Sequence, residues 1–158
     1  MHSMQTTIAT PIGPLAVTVA DDGAVTRVDF GAGDVSDDPR FEPLITQLDE
    51  YFAGARTAFD LPLRQQGSAF EQSVWAQLLA IPYGETASYG EIAARIGRPG
   101  MARAVGRANA RNPIAIVCPC HRVIGADGSL TGYAGGLDTK RALLELESGA
   151  LTLAVDPA

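Results

Sequence analysis

The sequence predicts an α/β protein in two parts: a small antiparallel sheet plus helix over residues 1–63, and a mainly helical, winged helix-turn-helix section over residues 64–158. Three observations carry this. Residues 5–30 hold short β-forming segments separated by Pro11-Ile12-Gly13-Pro14 and Asp21-Asp22-Gly23, the pattern of a meander. Residues 68–110 hold apolar stripes at helical spacing, broken by Gly and Pro. Between them, residues 64–68 form a polar, glycine-containing connection.

The expected strands are residues 6–9, 15–20 and 24–30. After a polar loop, Phe41, Leu44, Ile45, Leu48, Tyr51 and Phe52 recur at helical spacing, with Gly54 as the stop. Residues 57–63 read as a further strand. In the second part, Phe70, Val74, Trp75, Leu78 and Leu79 make one helical stripe, ended by Ile81-Pro82-Tyr83-Gly84. Ser88 and Glu91 have the capping-box spacing and open a short helix over 89–96. Gly97-Arg98-Pro99-Gly100 then turns the chain into a second helix over 101–110, closed by Asn112-Pro113. Two short helices around such a turn are the sequence form of a helix-turn-helix. The β-branched run 114–117 reads as extended until Pro119, which donates no backbone hydrogen bond. Residues 123–130 read as a hairpin around Asp127-Gly128. A glycine loop follows over 131–136, able to approach a ligand closely. Asp138 is expected to cap a last helix over 139–148, and residues 150–158 to fray.

Net charge is −6, but its distribution is uneven. Arg95, Arg98, Arg103, Arg107, Arg111 and Arg122 stand against Glu91 alone in residues 91–122, whereas the first 90 residues are acidic. A basic patch on an acidic body can hold a polyanion through close contact. Arg103, Arg107 and Arg111 lie four apart on one helix face, and Ala102, Ala104, Gly106, Ala108 and Ala110 between them are small. Such a helix can sit deep in a groove while arginines reach phosphates or displace a base. It has few side chains able to read base edges, so sequence-nonspecific binding to double-stranded DNA is expected. No apolar run approaches the ~20 residues of a membrane span, and the N-terminus lacks a signal pattern, so no membrane partner is expected. Cys118 and Cys120, two apart and alone, fit a reducing cytoplasm.

The chemistry centres on Cys120-His121-Arg122. The thiolate is the nucleophilic form of cysteine, and nearby cations favour it; His121 and Arg122 are expected to supply that environment. Two Cys and two His, one of them His2 at the terminus, are too few to close a zinc site, so no metal is expected. A cysteine hydrolase using Cys120, His121 and a carboxylate such as Glu147 stays open on these residues alone.

Pro119-Cys120-His121-Arg122-Val123, together with Tyr89-Gly90-Glu91, Arg103-Ala104-Val105-Gly106, Arg111-Asn112-Pro113 and Gly132-Tyr133-Ala134-Gly135-Gly136, resembles the O6-alkylguanine-DNA alkyltransferases, in order over about residues 66–147. The resemblance implies a monomer that takes the alkyl group from O6-alkylguanine in DNA, and in some substrates from O4-alkylthymine, irreversibly onto Cys120 with no cofactor. It implies a relay of Glu147, His121 and a water that deprotonates Cys120, with Asn112 holding the geometry. Tyr89 and Arg103 would extrude the nucleotide, assisted at the DNA by Ala102, Arg107 and Arg111. Tyr89 would also protonate guanine N3. The backbone at Val123 and the loop of Tyr133, Ala134 and Gly135 would shape the base pocket. Cys118 departs from the family pattern, which has an aliphatic residue there. Non-enzymatic relatives that bind alkylguanine replace the cysteine, and its presence here separates the two possibilities.

Overall fold

The structure, a computed structural model, describes residues 3–149; His2 and the tail 150–158, with the fraying expected of it, lie outside the described residues. Strands β1 (Ser3–Ile8), β2 (Leu15–Ala20) and β3 (Val25–Phe30) form an antiparallel meander in the order β1-β2-β3. Leu15, Val17 and Val19 of β2 are fully buried beneath helix α1 (Glu42–Phe52), whose Leu44, Leu48, Tyr51 and Phe52 close the core from the other side. A 3-10 turn, Pro39–Phe41, leads into α1.

The strand expected at 57–63 is not formed. Its one ladder contact is the bridge between Leu63 and Val25. Pro62 has no N–H to give to a ladder, and the buried Gln47 side chain takes the place of a neighbouring strand. Its Nε2 donates to Asp60 O at 3.0 Å and its Oε1 accepts from Asp60 N at 2.8 Å.

Helix α2 (Ala69–Leu79) opens with a full capping box between Ser68 and Glu71, in the stretch read only as a connection. Strand β4 (Ala87–Ser88) runs into α3 (Tyr89–Arg95), where the box between Ser88 and Glu91 is formed as its spacing indicated. After the Gly/Pro turn comes α4 (Ala102–Ala110). The Trp75 indole N–H donates to Ala108 O at 2.8 Å and locks α2 onto α4. The hairpin expected over 123–130 is half there: Asp127-Gly128 makes a tight turn, with Gly125 N donating to Ser129 O at 2.9 Å, but no returning strand follows. Instead β5 (Val123–Ile124) pairs in parallel with β4, Ala87 opposite Val123 and Ser88 opposite Ile124. A parallel pair needs a long crossover, and here the crossover is α3, α4 and the Cys120 turn. The pairing therefore brings the two strands' starts side by side, Thr86 next to Arg122, while Tyr89, just after β4, leaves on the side of Gly125. The last helix, α5, is Leu137–Glu147. Gly136, at φ 90°, occupies its cap without a side-chain bond, so Asp138 lies one residue inside the helix and caps nothing.

One apolar core runs from Ile8 to Leu146 through both sections. The seam is stitched at Val28, whose N–H donates to Pro113 O at 2.9 Å and whose carbonyl accepts from Ala115 N at 3.2 Å.

Candidate active site

The run 114–117 is a knot, not a strand. Ile116 has a φ of 69°, a left-handed conformation that costs a β-branched residue about 1–3 kcal/mol. Cys118 N donates back to Ile114 O at 3.1 Å. Asn112 clamps the turn from its side chain: Nδ2 donates to Ile114 O at 3.1 Å and Cys118 O at 2.9 Å, while Oδ1 accepts from Ile114 N at 3.1 Å and Gln65 Nε2 at 2.8 Å. Expecting an extended run from β-branching misses this, because Asn112 supplies the partners that a neighbouring strand would have supplied.

The knot delivers Cys120 to the first position of a 3-10 turn, Cys120–Arg122, beside a cavity of about 450 Å³. Tyr89, Asn112, Tyr133 and Ala134 line that cavity with Cys120, as do Asn109 of α4 and Val28, Asp29 and Phe30 at the end of β3. Val123 and Gly135, expected at the pocket, are not on its lining: Val123 is buried opposite Ala87, and Gly135 packs on the Phe30 ring. Tyr89 O–H lies 2.5 Å from Thr131 Oγ1, linking the first turn of α3 to the glycine loop.

Behind Cys120 stands a buried polar cluster. Glu147 is held by four hydrogen bonds: Arg122 Nε to Oε1 at 2.7 Å, and Arg122 Nη2 at 3.0 Å, His121 Nε2 at 2.7 Å and Tyr51 O–H at 2.6 Å to Oε2. Burial pushes the carboxyl up, but the bonds and charges of His121 and Arg122 outweigh it and hold Glu147 at about 2. A carboxylate only accepts, so Nε2 of His121 carries the hydrogen. Burial pushes His121 below its ordinary range, against the pull of Glu147, and the ring is neutral. Its Nδ1, buried and with no partner among the described residues, is then the basic nitrogen.

The expectation that His121 and Arg122 favour the thiolate is corrected at Arg122. A 3-10 turn rotates about 120° per residue, so Arg122 faces away from the sulfur, into Glu147 and Ile81 O (2.7 Å). Among the described residues it is Lys140 of α5, buried and with Nζ donating to Thr131 O at 3.1 Å, whose positive charge favours the Cys120 thiolate. Burial pushes the Cys120 thiol up, opposed by Asn112, Lys140 and the Tyr133 hydroxyl, which faces the sulfur without a complete hydrogen bond elsewhere. The thiol is therefore kept protonated until a base takes its proton. Lys140, Tyr51, Gln65 and Asn109 carried no sequence signal, since their partners lie far along the chain.

Cys118 is fully buried with Sγ 3.8 Å from Trp75 O, and burial pushes its thiol up to about 12. Cys118→Val is therefore expected to leave alkylation of the protein unchanged, with every adduct mapped by peptide mass spectrometry on Cys120. An adduct on Cys118 in the native chain would show that the knot opens.

On the opposite side of α4 from its buried Val105, Ala108 and Asn109, Arg103 and Arg107 are exposed and make no ion pair among the described residues. Arg111 caps the helix, 75% exposed, with Glu71 at 3.5 Å, a pair of little worth. Ala102 is half-buried at the helix start, and Gly106 faces the Tyr89 ring.

Comparison with known proteins bears on this arrangement. The family profile described as "6-O-methylguanine DNA methyltransferase, ribonuclease-like domain" matches residues 4–65, and that described as "6-O-methylguanine DNA methyltransferase, DNA binding domain" matches residues 69–149. The methylated-DNA–protein-cysteine methyltransferase of Mycobacterium tuberculosis is 55% identical over 150 residues, 89% of this chain and 90% of that protein. The protein of the same name from Methanosarcina acetivorans is 50% identical over 146 residues, 87% of this chain and 93% of that one. The crystal structure of Mycobacterium tuberculosis OGT in complex with DNA superposes with a TM-score of 0.85 at 52% identity, over 92% of this chain and 93% of that one.

Proposed function

The chain belongs to the 6-O-methylguanine DNA methyltransferase family and repairs DNA by direct transfer of an alkyl group to a cysteine, and from that premise we propose how its residues divide the work. Cys120 is the acceptor. The neutral His121, aligned through Nε2 by Glu147, draws the thiol proton to Nδ1 through a bridging water. The sulfur displaces guanine O6: the S–C bond forms, the C–O6 bond breaks, and Tyr89 gives a proton to guanine N3 so that the base leaves neutral. The thioether has no route to hydrolysis, so each molecule acts once. A cavity of about 450 Å³ suits one purine with its substituent. It is too enclosed for a base still in the stack, so the nucleotide is flipped out, with Arg103 filling the gap it leaves and Ala102, Arg107 and Arg111 against the backbone. The protein acts as a monomer on double-stranded DNA, in the cytoplasm, in keeping with its two unpaired cysteines.

One observation carries this reading: Cys120 lines a cavity beside the arginine-bearing helix, and the adjacent His121, aligned through Nε2 by Glu147, keeps a buried Nδ1 with no partner among the described residues. Intact mass after incubation with an oligonucleotide containing O6-methylguanine tests it. One methyl per chain, on Cys120 and without turnover, is the expected result. Tight binding with no adduct would make the protein a passive alkylguanine binder, and turnover of ester substrates would make it a hydrolase.

Arg103→Ala is expected to slow repair of duplex DNA at least about tenfold while leaving reaction with free O6-benzylguanine near the native rate, since only the duplex requires extrusion. Single-turnover kinetics on the two substrates decide it, and equal losses would remove Arg103 from flipping.

A further inference from the structure

The cavity beside Cys120 is walled in part by the N-terminal sheet, a section that the transfer chemistry does not use. Val28, Asp29 and Phe30 reach it from the end of β3. Phe30 is the large apolar group among them, and it touches the glycine loop twice. Its ring meets Tyr133 edge-on, with centroids 5.4 Å apart and planes at 67°. It also presses on Gly135 so closely that a Cβ there would stand 2.9 Å from Phe30 Cε1 and Cζ. Gly135 is not among the glycines with positive φ, and the three atoms nearest to where its Cβ would stand all belong to the Phe30 ring.

The two sides of this contact differ in stiffness. Phe30 sits in a ladder opposite Leu15, followed by Gly31 N donating to Pro14 O at 2.9 Å, and its neighbour Val28 is bonded to both Pro113 and Ala115. The loop over 131–136 has no ladder of its own. It is held by Tyr89 on Thr131 Oγ1, by Lys140 on Thr131 O, and by the Phe30 ring. Gly132 and Ala134 are small, so the aperture between loop and sulfur is set by where Tyr133 stands, and Tyr133 stands where Phe30 holds it.

We infer that Phe30 is a specificity-determining residue supplied by the N-terminal sheet: its ring walls the alkyl cavity and latches the 131–136 loop, and so limits the size of alkyl group that Cys120 takes up. The inference rests on the alkyl-transfer reading above. Removing the ring widens the cavity and frees the loop, so a methyl group loses the close fit that holds it against the sulfur while a bulky group gains room.

The test compares O6-methylguanine and O6-benzylguanine in the same oligonucleotide, so that DNA binding cancels in the ratio of rates. Phe30→Ala is expected to raise the benzyl-to-methyl ratio roughly tenfold, a usual size for a changed apolar wall. Phe30→Leu keeps more of the packing and is expected to move the ratio the same way by less. Gly135→Ala probes the contact from the loop side. It is expected to slow methyl transfer roughly tenfold with Phe30 present and to have little effect once Phe30 is Ala, because contacting residues couple. A ratio within twofold of native in both Phe30 variants, or equal harm from Gly135→Ala in both backgrounds, overturns the inference. Native protein that places no alkyl group on Cys120 fails at the earlier step and removes the proposed function itself.

Discussion

Cys120→Ala is expected to abolish alkyl transfer to the protein while leaving its affinity for duplex DNA close to native. The sulfur lines the cavity on the buried side of α4, whereas Arg103 and Arg107 project from the exposed side of that helix. Side chains with no shared partner contribute independently. The other thiol cannot substitute, since Cys118 is sealed against Trp75 and its thiol is pushed up to about 12. Anisotropy titration with a labelled duplex and intact mass on the same sample separate the two properties. Residual stoichiometric transfer would move the nucleophile elsewhere, and joint loss of binding in a folded variant would couple site and DNA surface more tightly than the geometry indicates.

Glu147→Ala is expected to be the most destabilising of the single changes considered. It strands the Arg122 guanidinium and the Tyr51 hydroxyl in a dry interior, and breaking one side of a buried ion pair costs about 3–5 kcal/mol. For a chain of this size that lowers Tm by roughly 10–15 °C, readable by calorimetry. Glu147→Gln keeps the volume but loses the charge that orients His121, and transfer should slow at least about 100-fold, the low end of what a positioned base contributes. The pH dependence follows from the same contacts. Glu147 is held at about 2 against an ordinary 4.5, so its contribution is fully present above pH 4.5 and is lost as pH falls toward 2, about 3 kcal/mol in all. His121, pushed below 6.5 by burial, adds to the loss in the same direction: below pH 6.5 the unfolded chain takes up the proton first. Native protein should therefore weaken steadily below pH 6.5, and the Glu147→Gln variant should show a flatter curve between pH 4.5 and 2. Parallel curves would mean that Glu147 is not the group being titrated.

Much of the fold was legible because its signals are local. Both boxed helix starts, at Ser68 and at Ser88, obey the Ser-x-x-Glu rule, since the capping side chain and the amide it satisfies lie within one turn. The meander followed from β-formers and turns next to each other. The errors cluster where a distant group takes over a local role: Gln47 replaces a strand partner for Asp60, Asn112 turns a β-branched run into a knot, and the pairing of β5 with β4 pre-empts a hairpin. The site divides in the same way. Cys120, Arg103 and the glycine loop stood out by residue type and spacing, whereas Glu147 and Asn112 rested on family resemblance.

By itself the sequence determined the candidate nucleophile, the basic helix and the N-terminal meander, because each depends on neighbours a few residues apart. The tertiary structure alone decided the rest: that Arg122 serves Glu147 and not the sulfur, that Lys140 supplies the charge beside Cys120, that Tyr51 of α1 steadies the carboxylate, and that Phe30 walls the cavity. Those assignments depend on which groups, distant in sequence, are brought together in the buried interior. There each polar atom must find a partner at any sequence distance, and only the closed core brings the partners together.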